Sequence, residues 1–353
     1  MIRHLINSRC KVLQALRQLN ELSGGVMTLI VVDDNDVMLG TLTDGDVRRG
    51  MLNGVTADDY VTAVLYESFM CMHTTDTPLE RVKTMRKARE KGIKLLPEIT
   101  PEGTIAWLYD LTDTYTLLPL SAILMAGGKG ERLRPLTLTT PKPLLEIGGR
   151  AIIDYNIENL AHCGITDVWV TVKYLADQVR DYFSQPRHGI IAQCVEEEMP
   201  MGTIGAAALI PRSKVGDTLV MNSDLLTTIN LEEMYLHHVE SHADVTIAAI
   251  PYTVSVPYAI LSTDGAQVKA LEEKPTYSHF ANAGIYIFSN RVLNALSPDE
   301  RTDATELIEA AINEGLTVTY YPINGTWIDI GSHADFRHAE ELMKHHRSLA
   351  KID

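Results

Sequence analysis

Residues 120–143 read Leu-Ser-Ala-Ile-Leu-Met-Ala-Gly-Gly-Lys-Gly-Glu-Arg-Leu-Arg-Pro-Leu-Thr-Leu-Thr-Thr-Pro-Lys-Pro. An apolar strand, Ser121 to Met125, runs straight into a loop with Gly127, Gly128 and Gly130, and cations follow at Lys129, Arg132, Arg134 and Lys142. Glycines let backbone N–H groups turn toward a phosphate with no Cβ in the way, and the cations neutralise the charge gathered there. This is a nucleotide-handling loop, and two familiar kinds are excluded. A Walker A loop needs Gly-Lys followed by Ser or Thr, whereas Gly130 follows Lys129. A dinucleotide fingerprint needs a third glycine, but Glu131, Arg132 and Leu133 follow Gly130.

What remains, Ala-Gly-Gly-x-Gly-x-Arg-Leu-x-Pro-x-Thr with Pro-Lys-Pro downstream, resembles the nucleotidyltransferases that make nucleoside-diphosphate sugars from sugar 1-phosphates. The resemblance implies nucleotide contacts from Met125, Ala126, Gly127, Gly128 and Gly130. It also implies catalytic roles for Arg132 and Lys142, which would neutralise the triphosphate and the charge developing at the α-phosphorus. Lys142 lies between two prolines, so its backbone is stiff. Lys129 and Arg134 rank lower, as solvated cations.

A phosphate monoester attacking a polyphosphate is anion against anion, so the transfer needs a divalent cation, here magnesium, held by carboxylates at strand ends. Leu219-Val-Met-Asn-Ser-Asp224 and Trp327-Ile-Asp329-Ile-Gly331 supply two candidates, Asp224 and Asp329, which match the family's metal positions. The segment Glu196 to Ala207 resembles the stretch that lies along base and sugar, with Glu197, Gly202 and Thr203 at the nucleotide and Met201 and Ile204 in place of the usual Leu and Ala. Glu273, Lys274, Asn282, Gly284 and Tyr258 correspond to the sugar-phosphate half. The resemblance is strongest to guanylyltransferases acting on mannose-type, heptose or amino-sugar 1-phosphates, enzymes of surface-glycan or nonulosonate pathways. GTP is the expected donor, with UTP, dTTP and CTP as alternatives. A non-catalytic regulatory or assembly subunit is the rival reading. No Ser-His or Cys-His pairing is needed, because no covalent intermediate forms.

From residue 119 to 353, strand-like and helix-like segments alternate, which implies an α/β fold with a doubly wound, mostly parallel sheet. Strands are expected at 121–125, 167–172, 190–195, 218–221, 245–251 and 317–321, and helices near 151–163, 305–313 and 332–347. Two domains suit a length of 353 residues.

Residues 1–118 form the other. Laid on itself with a shift of 67, the segment places Val26, Leu29 and Val32 on Ile93, Leu96 and Ile99, and Asp46 on Asp113. Each copy reads helix, strand, strand. In the second, Thr77-Pro78-Leu79-Glu80 supplies an N-cap, a first-turn proline and a capping-box glutamate. Gly40-Thr-Leu-Thr-Asp-Gly-Asp46 resembles the closing strand of a CBS (cystathionine-beta-synthase) domain, with Thr43 and Asp46 spaced as such domains use them. A tandem CBS α+β domain implies a homo-oligomer and an adenosine nucleotide as possible ligand. The second copy keeps Asp113 but has Asp110 where Thr43 stands, a carboxylate that would repel phosphate.

A net charge of -15 argues against a nucleic-acid polymer as partner. No apolar run is long enough to span a membrane, and Met-Ile-Arg-His-Leu lacks the apolar core of a signal peptide, so a cytoplasmic location is expected. Cys10, Cys71, Cys163 and Cys194 are scattered and read as buried thiols. His237-His238 and His345-His346 are adjacent pairs that cannot chelate together and read as surface residues.

Overall fold

The computed structural model describes residues 2–214 and 216–349, with side chains described over 3–214 and 216–344. Contacts divide the chain into two compact units: the first 118 residues with His162–Gly164, and the remainder.

The smaller unit is built twice. Leu5–Asn7, Thr28–Val32 and Met38–Thr43 make one sheet, and Met72–His73, Leu95–Ile99 and Ile105–Asp110 make another. In each sheet the first pair is parallel and the second antiparallel. Each strand of the second sheet starts 67 positions after its counterpart, at Leu5 and Met72, Thr28 and Leu95, and Met38 and Ile105. Helix Val12–Glu21 buries Val12, Ala15 and Leu19, while Leu13 is 40% exposed. Helix Pro78–Glu90 starts at Thr77, whose N–H donates to Glu80 Oε2 at 2.8 Å. The copies differ inside and at their ends. Gln14, Val31 and Leu42 of the first become Arg81, Glu98 and Tyr109 in the second. There Glu98, 6% exposed, pairs with Arg81 at 2.8 Å and accepts from Tyr109 Oη at 2.9 Å. After Thr43 the helix Asp44–Leu52 begins, but after Asp110 comes only a turn, so Asp113 is exposed and caps no helix.

The larger unit carries seven strands in one sheet: β1 Ser121–Met125, β2 Val168–Val172, β3 Gln193–Glu196, β4 Thr218–Asn222, β5 Val245–Ser255, β6 Thr276–Phe288 and β7 Val318–Pro322. Their spatial order is β3-β2-β1-β4-β6-β5-β7, and β6 alone runs antiparallel to its neighbours. Central strands buried on both faces must be apolar throughout, and Ala122-Ile123-Leu124 and Leu219-Val220-Met221 are. On one face Ile123, Val220, Tyr286 and Phe288 pack with Leu307, Ile308 and Ala311 of helix Ala304–Asn313. On the other, helix Leu231–Glu240 is pinned where His238 Nδ1 meets Thr246 Oγ1 at 2.8 Å. The sheet is thus covered on both sides, as the alternation implies.

Three expectations need correction. β6 escaped the sequence reading, because residues 276–280 are exposed and only 283–288 form a buried run. His238 is 2% exposed, held by Thr246 and by Asp217 Oδ2 at 3.2 Å. His237 is half-buried with its ring 6.0 Å from Tyr321, so neither is a surface residue. Adjacent helical residues point to different sides, and here both sides are packed. The side chains of His345 and His346 lie outside those described. Of the cysteines only Cys163 is buried; Cys10, Cys71 and Cys194 are half-buried.

β5 and β6 run on together beyond the sheet, pairing out to Ser255 and Thr276, and a hairpin of Ile260–Asp264 and Gln267–Glu272 extends them. From 251 to 280 every residue is exposed except Val256 and Pro275. Among the described residues no helix is long and apolar enough to cross a membrane.

Candidate active site

Parallel strands bring their carboxyl ends to one edge, and there the glycine loop meets the two aspartates. Asn222 of β4 lies beside Met125 of β1, and Ser223 ties them, its N–H and Oγ donating to Met125 O at 3.2 and 2.7 Å. Leu225–Thr227 then pairs antiparallel with Trp327–Asp329, setting Leu225 opposite Asp329, and Ile330 N donates to Asp224 O at 3.2 Å. Trp327 Nε1 donates to Ala283 O at 2.9 Å, which anchors the second aspartate's strand to β6. Two residues about a hundred positions apart are thereby forced side by side.

Lys142 completes the group. Its Nζ donates to Asp224 Oδ2 and lies 3.5 Å from Asp329 Oδ1. Burial pushes the Asp329 carboxyl above the usual carboxylate range, and the adjacent Asp224 charge adds to it, against the pull of Lys142 and Arg132. Asp224 Oδ1 is buried without a hydrogen-bond partner. Arg132 joins Lys142, Gly128, Gly130, Asp224 and Gly331 around a cavity of about 330 Å³.

The larger cleft, of about 590 Å³, is lined on one side by Met125, Ala126, Gly127, Gly128 and Lys129 and on the other by Lys173, Tyr174, Glu197, Met201, Gly202 and Thr203. Glu197 is 6% exposed; Oε2 accepts from Met201 N at 3.2 Å, and Lys173 Nζ donates to the Glu197 carbonyl at 2.9 Å. Burial raises the Glu197 carboxyl, partly offset by the Met201 N–H and Lys173. A side chain at 127 would strike the Glu197 carboxylate and push it from its place, so glycine lets the two approach closely. Gly202 has φ +82°, and a Cβ there would strike Thr302 O and lie 2.8 Å from Asp303 Oδ1. Gly202→Ala is therefore expected to displace the loop, weakening nucleotide affinity about tenfold and costing about 1–3 kcal/mol of stability, read by a binding titration and a melting curve.

Most residues expected at the nucleotide lie together: Met125, Ala126, Gly127, Gly128, Glu197, Gly202, Thr203 and Asp224 line the one cleft, and Gly130 flanks the smaller cavity. The sugar-phosphate half is different. Gly284 abuts Asn222, and Asn282 hydrogen-bonds Tyr286 Oη at 2.9 Å, but Tyr258, Glu273 and Lys274 stand on the exposed ribbon and line neither cleft. The long β5–β6 pairing carries them outward. Sequence reasoning missed Lys173, Asn222 and Arg301, which do line the cleft. Lys173 and Asn222 could have been found as polar residues at strand ends; Arg301 carries no such signal.

Sheet order, glycine loop and paired aspartates mark an α/β protein with a cleft at its strand ends, and the chain belongs to the Nucleotidyl transferase family, whose profile matches residues 121–346. It is 30% identical over 226 residues to mannose-1-phosphate guanyltransferase beta-A of Xenopus laevis, covering 62% of this chain and 62% of that protein. It is likewise 30% identical over 229 residues to the mannose-1-phosphate guanyltransferase of Debaryomyces hansenii, covering 62% of each. The match thus spans under two thirds of these relatives. A Bacillus anthracis protein provisionally assigned as a glucose-1-phosphate thymidylyltransferase has the same fold, with TM-score 0.51 and 22% identity over 64% of this chain and 95% of that one.

Proposed function

We propose that the larger unit transfers guanylyl from GTP to a mannose-type sugar 1-phosphate, releasing pyrophosphate. The observation that carries the donor choice is the buried Glu197 carboxylate in the cleft, with the Lys173 ammonium, bound to the same residue's main-chain carbonyl, close enough for its charge to act on that carboxylate. Guanine presents two adjacent donors, N1–H and N2–H₂, next to the acceptor O6. A carboxylate with a neighbouring ammonium matches that edge. Uracil and thymine present one N–H flanked by two carbonyl oxygens, which a carboxylate repels. The relatives named as mannose-1-phosphate guanyltransferases support the same choice.

An acceptor phosphate oxygen attacks the α-phosphorus, the bond to the β-phosphate bridging oxygen breaks, and pyrophosphate leaves. The glycine loop and Arg132 hold the triphosphate. Asp224 and Asp329 suit magnesium: two carboxylates crowd each other, one buried oxygen lacks a partner, and Mg²⁺ is commonly held by one or two carboxylates plus substrate phosphates. Bound there, the ion would neutralise phosphate charge. Among the described residues no cluster of three or more His, Cys, Asp or Glu offers an alternative metal site. Lys142 then contributes its charge to the leaving phosphates.

Both carboxylates must be ionised to share the cation, and Asp329 holds its proton to a higher pH than an ordinary aspartate. Activity is therefore expected to fall on the acid side at a higher pH than a normal carboxylate would give. Raising free magnesium should move that limb to lower pH, because cation and proton compete. A limb insensitive to magnesium counts against this site.

In the smaller unit, a cleft of about 610 Å³ lined by Thr41, Thr43, Tyr66, Phe69, Lys91 and Lys94 suits an adenosine nucleotide, its phosphates near the N-terminus of helix Asp44–Leu52. Thr43 and Asp46 already cap that helix, with Thr43 Oγ1 donating to Asp46 Oδ2 at 2.6 Å. We read the unit as a CBS-type regulatory module of a homo-oligomeric, cytoplasmic enzyme that makes glycan precursors. Pyrophosphate release from each of GTP, UTP, dTTP and CTP against a panel of sugar 1-phosphates tests the transfer reading. GTP with a mannose-type acceptor is expected to lead, and no release from any pair overturns it.

A further inference from the structure

The loop at the base-side end of the cleft and helix Ala304–Asn313 are fastened to each other by reciprocal contacts. Thr203 Oγ1 accepts from Ala304 N at 2.8 Å, satisfying a free N–H of the helix's first turn. Thr302 N donates to Met201 O at 3.0 Å, and Thr302 O accepts from Ile204 and Gly205 N–H at 3.2 and 3.1 Å. Besides forming a capping box with Glu306 at the start of its helix, the Asp303 carboxylate reaches outward. Oδ1 accepts from Thr203 N at 2.9 Å, and Oδ2 accepts from Arg301 Nη2 at 2.6 Å.

Arg301 lines both the main cleft and an adjoining cavity of about 390 Å³ bounded by Thr203, Asn222, Tyr286 and Asp303. Its side chain is 56% exposed, and among the described residues Asp303 is the carboxylate that pairs with it. A free arginine at a rim samples many rotamers, whereas one gripped by a carboxylate presents its remaining N–H donors in a fixed fork that fits phosphate. Lys274, the cation expected at the acceptor's phosphate, stands on the ribbon instead.

We propose that Asp303 is a positioning residue: it holds Arg301 at the boundary of the two cavities, where the guanidinium meets the acceptor's phosphate, and keeps it in register with the Gly202–Thr203 loop. The inference rests on the proposed transfer to a sugar 1-phosphate. The arrangement links the two substrates, since the carboxylate that steadies the loop also aims the cation.

Asp303→Asn retains an oxygen for Thr203 N–H and remains a good N-cap but loses the ion pair. The test is calorimetric titration of mannose 1-phosphate into the full chain loaded with magnesium and a non-hydrolysable GTP analogue. Asp303→Asn is expected to weaken acceptor affinity about tenfold while affinity for the GTP analogue alone stays within about twofold. Arg301→Ala should lose at least as much, Arg301→Lys should recover part of it, and adding Asp303→Asn to Arg301→Ala should lose nothing further. Unchanged acceptor affinity in Asp303→Asn, or additive losses in the double variant, overturns the role of Asp303. Wild-type protein that binds the GTP analogue but no sugar 1-phosphate overturns the acceptor reading and this inference with it. The two failures are distinguishable, because the first leaves the wild-type isotherm intact.

Discussion

Asp224→Asn is expected to lower kcat for nucleotidyl transfer by a factor of about 10³ or more at saturating magnesium, with the melting temperature shifted by only a few degrees. The residue sits where β4 has just ended, its carbonyl accepting from Ile330 N–H at 3.2 Å, so its backbone is set by strand pairing that the substitution leaves alone. Asparagine keeps the volume and can still accept from Lys142. It removes the charge that the buried, unpartnered Oδ1 has available for a cation. Asp329→Asn should cost a similar factor in rate but leave the cation-free protein no less stable. Removing a carboxylate whose pKa is raised relieves the burial of a charge and, secondarily, its contact with the Asp224 charge, and that relief is greatest at neutral pH, where the native group is being forced to ionise. A variant series in which rate and melting temperature fall together would mean that the pair is a structural element rather than a cation site.

Glu197→Gln is expected to reverse the ranking of donors. In the proposed complex the carboxylate accepts from both guanine donors, whereas the amide offers one acceptor and one donor, so one guanine N–H would lose its partner in a buried setting. Such a loss is worth about 1–3 kcal/mol, or roughly 10–100-fold in kcat/KM for GTP. The same amide can accept from the single N–H of uracil or thymine and donate to a flanking carbonyl, so UTP and dTTP should gain. Lys173→Met should weaken GTP without improving UTP, because it would remove the proposed donor to O6 and add nothing for the other bases. Competition between GTP and UTP in one reaction, read by separating the two product sugars, gives the ratio directly.

The glycine-loop side of this cleft was legible from sequence because it is local. Gly127 to Lys142 is one continuous stretch, and a strand followed by glycines and cations has few meanings. Asp224 and Asp329 were legible for a related reason: each closes an apolar run, and the end of a strand is where an open sheet puts its chemistry. β6 was not, because a strand that begins in an exposed ribbon and ends in the core shows neither alternation nor a full apolar run. Arg301 was not, because its place depends on a fold-back between the Met201–Gly205 loop and Thr302, which leaves no periodic trace. Lys274 shows the opposite: the motif around it is recognisable, and the β5–β6 pairing sets it on the ribbon rather than among the residues that line the two clefts. In the smaller unit the internal repeat was faint because Arg81, Glu98 and Tyr109 place a buried polar network where the first copy has Gln14 and two core aliphatics. The backbone register survives that exchange; the side-chain pattern does not.

The most direct measurement follows the α-phosphorus. GTP labelled at the α-phosphate, mixed with mannose 1-phosphate, magnesium and the full chain, is expected to deliver its label into a nucleoside-diphosphate sugar, with one pyrophosphate released per label transferred. Label recovered instead as free GMP or GDP, with no sugar nucleotide formed from any sugar 1-phosphate, would contradict transfer as the function of this cleft.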